Sequence, residues 1–245
     1  MTPGNRHIEE AALRAWPAAK QYLYAGWVAR LSDGYTKRAN SASLLYPTEN
    51  AFTLETIQRI ERLYRTHQLP VIFRLLSFTS PPDLGRQLSE RGYREADGTL
   101  VMTLDLPSCL EPAPDVRTLA LDRGIDAHAR MNGLAAAIMP RHRSILERIP
   151  GGLSFVGLFE DDELIACGLS VIDGELVGLF DIVTDPAHRR RGHGAYLVRG
   201  MLAQAASQGA ATAYLQVVMT NAPAIALYEN LGFSEAYLYI YRILD

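Results

Sequence analysis

The stretch LFDIVTDPAHRRRGHGAYLVRGML, residues 179–202, decides how this chain is read. It opens on an apolar run of strand character and passes through Pro186. It then sets three arginines, Arg189, Arg190 and Arg191, against Gly192 and Gly194. Apolar residues recur at helical spacing over about 192–208. The order is strand, loop, glycine-rich turn, helix. A helix N-terminus leaves backbone N–H groups unpaired and carries partial positive charge, and glycine lets an anion approach the backbone closely. Taken alone, the stretch reads either as a phosphate cradle or as a turn beside a solvated charge run.

The surroundings place it in an α+β pattern. Residues 116–122 read as a strand and residues 126–149 as one or two helices. Residues 153–186 read as three antiparallel strands, with turns at Asp161–Asp162 and Asp173–Gly174. After the helix come a strand at 213–218, a helix in APAIALYENLG (222–232) and a last strand in AYLYIYRIL (236–244). The sheet is expected to be mixed and mainly antiparallel, with Pro186 outside its ladder.

Upstream, the same order recurs. Gly232–Phe233 lies 140 positions after Gly92–Tyr93, and the same offset lays Asp173–Gly174 over Asp33–Gly34. It also lays residues 196–210 over 56–70, each an amphipathic run followed by a strand. Turn, helix and strand therefore line up together. The proline-rich run LPSCLEPAPDV (106–116) interrupts the pattern between the halves. Two domains are expected, 1–108 and 116–245, joined by a linker at 109–115, each a twisted mixed sheet flanked by helices. The alternative is an unrelated α+β domain in the N-terminal half.

The bulk numbers exclude several classes. With 245 residues the chain has room for one large core or two small ones. A net charge of −3 argues against a general nucleic-acid binder and makes the arginine run a local feature. Cys109 and Cys167 match no disulfide framework, and His7, His67, His128, His142, His188 and His193 form no ligand motif, so no metal is expected. No run of 18 apolar residues appears, and the N-terminus lacks an apolar signal core. The expectation is a reduced, cytoplasmic protein without membrane or nucleic-acid partners.

Two motifs carry a family resemblance. Arg189-x-x-Gly192-x-Gly194 resembles the acetyl-CoA pyrophosphate loop of the GNAT superfamily of N-acetyltransferases. VMTNAPAIALYENLGF (218–233) resembles that family's second element through Asn221, Ala224, Leu227, Tyr228, Gly232 and Phe233. Its form is most similar to that of ribosomal-protein alanine acetyltransferases. The resemblance covers residues 116–245, and with the repeat it implies a tandem protein. At the 140-residue offset, Arg189–Gly194 falls on Glu49-Asn50-Ala51-Phe52-Thr53-Leu54, which has no glycine and no basic residue. Pro81 stands at the Asn221 position and Leu88 at the Tyr228 position. The N-terminal copy is therefore expected to be degenerate, completing the fold or walling the acceptor cleft.

The resemblance further implies direct transfer of acetyl from acetyl-CoA, as co-substrate, to a neutral primary amine. The backbone of Ile182, Val183 and Thr184 would hold the pantetheine arm. The amides of Arg190, Arg191, Gly192, His193, Gly194 and Ala195 would bind pyrophosphate, with arginine side chains, Arg189 included, adding charge-assisted contacts. His193 is read as a neighbour of phosphate rather than a catalytic group. Asn221 would align the arm, and Tyr228, beside the bound cofactor, would protonate the departing thiolate; the competing reading of Tyr228 is a packed core tyrosine. The alanine acetyltransferases carry a glutamate where this chain has Gln216, which cannot act as base. Asp181 is the alternative, since a carboxylate in an apolar strand needs a reason; the competing reading is a structural hydrogen bond. Glu175 is a weaker candidate.

The acceptor is a small-molecule amine or a peptide N-terminus, and the chain a monomer or homodimer. GWVARLSDGYTKRANS (26–41) reads as a two-sided strand pair, or as a segment in which Trp27, Arg30, Lys37, Arg38 and Asn40 contact substrate. The rival function is a non-catalytic acetyl-CoA-binding sensor or scaffold.

Overall fold

The structure is a computed structural model that describes residues 4–245. Residues 1–3, where the expected first domain begins, lie outside the described residues. The elements of the N-terminal half are α1 (Asn5–Ala15), β1 (Lys20–Tyr24), β2 (Trp27–Leu31), β3 (Ala42–Leu44), α2 (Leu54–Thr66), β4 (Val71–Leu76), α3 (Leu84–Glu90) and β5 (Arg94–Asp105). Then follow β6 (Val116–Leu119), α4 (Leu121–Asn132), α5 (Met139–Leu146), β7 (Leu153–Glu160), β8 (Glu163–Asp173) and β9 (Leu176–Thr184). The chain continues through α6 (His193–Ser207), β10 (Thr212–Val218), α7 (Ala222–Asn230) and β11 (Ser234–Leu244). Among the described residues, no helix is long and apolar enough to cross a membrane.

The strands form one mixed sheet, in the order β1-β2-β3-β4-β11-β5-β10-β9-β8-β7-β6. This corrects the expectation of a separate sheet for each half. The reason is the destination of the two last strands. β11 pairs antiparallel with β4, Tyr239 opposite Leu76 through Leu244 opposite Val71, and β5 lies beside β10. The chain divides into two compact units that interleave along the sequence. The first holds the chain up to Ala15, then Val101–Val217 and Asn221–Ala236; the second holds Trp16–Leu100, Val218–Thr220 and Tyr237–Asp245.

In the second unit, Trp27 is buried at the centre of the core, its indole N–H donating to the Ala51 carbonyl at 2.7 Å. Its ring meets Phe73 edge-on at 5.2 Å. The Tyr64 hydroxyl donates to the Arg30 carbonyl at 3.0 Å, and burial drives its phenol well above the ordinary range. Asp33–Gly34 does not make the expected tight hairpin. It opens a longer loop gathered around Asn40, whose side chain accepts from Ser32 N at 2.7 Å and donates to Tyr35 O at 2.8 Å. Trp27, Arg30 and Asn40 are buried within this unit, so the two-sided strand reading describes them better than a substrate-facing one.

In the first unit, β7, β8 and β9 form the expected antiparallel meander, and β10 adds parallel to β9. Helix α4 packs against β7 at Gly124, where a Cβ would lie 2.2 Å from Phe155 Cγ. Glycine, unfavourable in a helix interior, is needed there for close approach.

The elements α2, β4, α3 and β5 fall on α6, β10, α7 and β11 at an offset of 140, their ends agreeing to within two residues. Local bonding repeats as well. Gly92 N donates to Ser89 O at 2.9 Å, as Gly232 N does to Glu229 O. Tyr93 N donates to Leu88 O at 3.0 Å, as Phe233 N does to Tyr228 O.

Candidate active site

The site begins where two strands part. The parallel pairing of β9 with β10 runs from Leu176 opposite Thr212 to Leu179 opposite Leu215. Beyond it, Phe180–Thr184 continue along β8 alone, and Gln216 lies past the last pair. The register of β8 with β9 shifts between Cys167 and Leu169. Asp181 sits in that bulge at φ 50, a left-handed conformation that costs a non-glycine residue roughly 1 kcal/mol or more. A bulge re-aims its side chain, and here it turns a carboxylate into a cluster of imidazoles.

His142, on α5, is buried, with Nε2 2.9 Å from Asp181 Oδ2. His128, on α4, places Nε2 4.0 Å from Asp181 Oδ1 and Nδ1 3.2 Å from the Asp181 carbonyl. The imidazole rings stand edge to face, 5.3 Å between centroids. Asp181 thus has the partners that an apolar strand denies it. Arg130, also on α4, donates to Asp185 at 2.8 Å and fixes the helix to the loop after β9. The Ala187 N–H, then Arg130, hold the Asp185 carboxyl below the usual range. Cys167 is buried nearby, and burial first, then the Asp181 charge, push its thiol up to about 12.

The glycine-rich turn follows. Gly192 caps α6 at φ 83, a conformation that strains any side chain. No side chain caps this helix, and no acidic residue stands in its first turn. Its leading N–H groups therefore present an uncapped, 15-residue helix dipole to an anion. Gly194 is held close to Leu227 and Thr184, so a Cβ there would lie 3.2 Å from Leu227 Cδ1. The equivalent helix α2 differs: Thr53 caps it, accepting from Thr56 N at 3.2 Å, and Glu55 stands in its first turn. That N-terminus has a side-chain cap, and its first-turn carboxylate pairs with Arg59 at 3.0 Å.

The remaining expected residues take several places. Arg190 and Arg191 are exposed beside the turn, Arg190 with φ 62. Arg189 folds back, its Nε donating to the Thr184 carbonyl at 3.1 Å. His193 is the first residue of α6, its ring 6.3 Å from that of His188. Asn221 caps α7 by accepting from Ala224 N at 3.3 Å. Tyr228 lies on α7, half-buried, its ring edge-on to Phe233 at 5.9 Å. Burial pushes its phenol up to about 12. Glu175 is exposed in the turn before β9, and its carbonyl accepts from Ala211 and Thr212. The sequence reading missed His128 and His142. The one pointer to them was the isolated carboxylate of Asp181.

Comparison with known proteins gives the family. The family model described as "Probable histone acetyltransferase Rv0428c C-terminal" matches residues 2–242. The chain is 33% identical to "Uncharacterized N-acetyltransferase YobR" of Bacillus subtilis over 97% of its length and 98% of the relative's. It is 39% identical to the "[Ribosomal protein bS18]-alanine N-acetyltransferase" of Salmonella typhimurium over 32% of this chain and 53% of that one. A solved GCN5-related N-acetyltransferase from Kribbella flavida shares the fold at a TM-score of 0.74 and 19% identity, over 99% of this chain and 96% of that one. The chain belongs to the Rv0428c C-terminal family within the GNAT superfamily of N-acetyltransferases, and it is an acyltransferase.

Proposed function

We propose that this acyltransferase moves an acetyl group from acetyl-CoA to a primary amine by direct attack. The observation that carries the reading is the uncapped N-terminus of α6 behind Gly192, beside the parting of β9 and β10. The amides of residues 190–195 suit a pyrophosphate, and the backbone of Ile182, Val183 and Thr184 suits an extended pantetheine arm. Asn221 keeps its amide nitrogen for that arm while its oxygen caps α7.

Asp181 takes the proton that an acceptor ammonium must lose, directly or through water. The free amine attacks the thioester carbon, the carbon–sulfur bond breaks, and Tyr228 gives its phenolic proton to the leaving sulfur. A phenol raised to about 12 is fully protonated at neutral pH, as a general acid must be. The attacking nitrogen, cationic once bonded to the acyl carbon, loses its second proton to solvent; solvent also restores the tyrosine proton and takes the one held by Asp181.

The two halves are read as tandem copies, 1–108 and 116–245, of which only the second keeps the cofactor site. The shared element order and the Thr53 cap on α2 support this. The acceptor is a small amine or a peptide N-terminus, in a cytoplasmic monomer or homodimer without nucleic-acid partners. The test is release of free CoA thiol from acetyl-CoA across an amine and peptide panel. Thiol release with an acetylated amine product is expected. Acetyl-CoA binding without turnover on any acceptor would reject amine transfer.

A further inference from the structure

His128, His142 and Asp181 offer two imidazole nitrogens and a carboxylate oxygen, all within 4.8 Å of one another. They come from α4, α5 and the bulge of β9. We propose that this cluster is a binding site for a late first-row divalent metal ion, with Zn2+ the best match.

The donor set selects the ion. Two imidazoles and one carboxylate suit Zn2+, whereas Ca2+ and Mg2+ demand more oxygen ligands. The spacing also fits. Ligands about 2.0–2.1 Å from a tetrahedral ion stand roughly 3.3 Å apart. The Asp181 oxygens lie 2.9 Å from His142 Nε2 and 4.0 Å from His128 Nε2, on either side of that value. Binding displaces the proton that His142 Nε2 donates to Asp181 and draws His128 closer.

The outer contacts have the form found around bound metals. The Asp181 carbonyl, which can only accept, lies 3.2 Å from His128 Nδ1 and so favours the tautomer with its proton there. Asn132 Nδ2 donates one hydrogen to the His128 carbonyl at 3.1 Å and lies 3.2 Å from the same ring nitrogen. His128 Nε2 faces the carboxylate 4.0 Å away. That gap is too long for a hydrogen bond and suited to a shared cation. The His142 side chain is 1% exposed, while those of His128 and Asp181 are 12% and 15% exposed, leaving a fourth position open to water.

A metal held by Asp181 removes that carboxylate from proton transfer. This corollary rests on the acetyl-transfer reading, and the site itself does not. The experiment titrates the chelator-stripped full chain with Zn2+ by calorimetry and with Co2+ by absorption. One Zn2+ per chain at micromolar affinity or tighter is expected, with tetrahedral Co2+ bands. D181N and H128A should each weaken binding at least tenfold and H67A should not, all three checked by circular dichroism. Because H142A removes a buried ring, D181N and H128A decide the outcome if it fails to fold. No saturable binding, or binding unchanged in D181N and H128A, would overturn the site. Binding that leaves acetyl transfer unaffected keeps the site and rejects the proton-accepting role of Asp181.

Discussion

Asp181 Oδ2 lies 2.9 Å from His142 Nε2, joining a strand bulge to a buried imidazole on a separate helix. Two structural costs meet at this contact: a left-handed backbone at Asp181 and a charge within an apolar strand. Asp181→Asn keeps the shape and removes the negative charge. The expected outcome is a fall in kcat of about 100-fold or more, with acetyl-CoA affinity within about threefold of wild type. Steady-state thiol release and calorimetry check it; unchanged kcat would leave Asp181 a structural role only.

Tyr228→Phe removes the proposed acid and keeps the ring that packs on Phe233. Turnover should fall by about 100-fold while acetyl-CoA affinity holds. The sign of the pH effect follows from the raised phenol. The active form is protonated, so activity is kept below the pKa and lost as pH rises through it. With that value near 12 rather than 10, Tyr228 contributes no alkaline loss between pH 7 and 10. A kcat profile falling near pH 10 in wild type, but not in Y228F, would contradict the upward shift of the phenol while keeping its acid role.

The turn before α6 yields a binding prediction. Gly192→Ala puts a side chain at φ 83 and should cost on the order of 1 kcal/mol of local strain. Gly194→Val crowds Leu227 and Thr184 at the place where the anion approaches. Acetyl-CoA affinity should drop about tenfold or more in each, with the midpoint of thermal unfolding lowered by only a few degrees. Calorimetry paired with thermal denaturation separates the effects. The mirror change, Thr53→Ala on α2, removes a helix cap worth about 1 kcal/mol and should leave acetyl-CoA binding untouched.

Packing and chemistry are coupled at Gly124. A methyl group there meets Phe155 Cγ at 2.2 Å, so α4 must move off β7. Gly124→Ala should destabilise by about 1–3 kcal/mol despite its better helix propensity. It should also lower kcat, because α4 carries His128 and Arg130. Chemical denaturation with parallel turnover measurements checks both arms; a stabilised, fully active variant would refute the close-packing account.

Much of this molecule is legible in its sequence because much of its determination is local. The meander of β7, β8 and β9, the helix after Gly192 and the turn at Gly232 follow from alternation, helical period and glycine chemistry within a few residues of each element. Asp33–Gly34 misled because Asn40, six residues on, organises a longer loop there. The single sheet was hidden for a different reason. Whether β11 pairs with β4 or elsewhere is a choice among similar apolar strands far apart in the chain. The histidines were invisible because His128, His142 and Asp181 come from three elements, and no linear spacing records a convergence made by packing.

The interleaving of the compact units bears on where the chain can be cut. Tyr237–Asp245, at the end of the C-terminal half, belongs with Trp16–Leu100, while α1, at the start of the N-terminal half, belongs with Val101–Val217. A cut within 109–115 would take from each unit a segment made by the other half. A chain shortened to residues 116–245 would therefore lack Asn5–Ala15 and residues 101–115 of one unit, and would keep Tyr237–Asp245 without Trp16–Leu100 of the other.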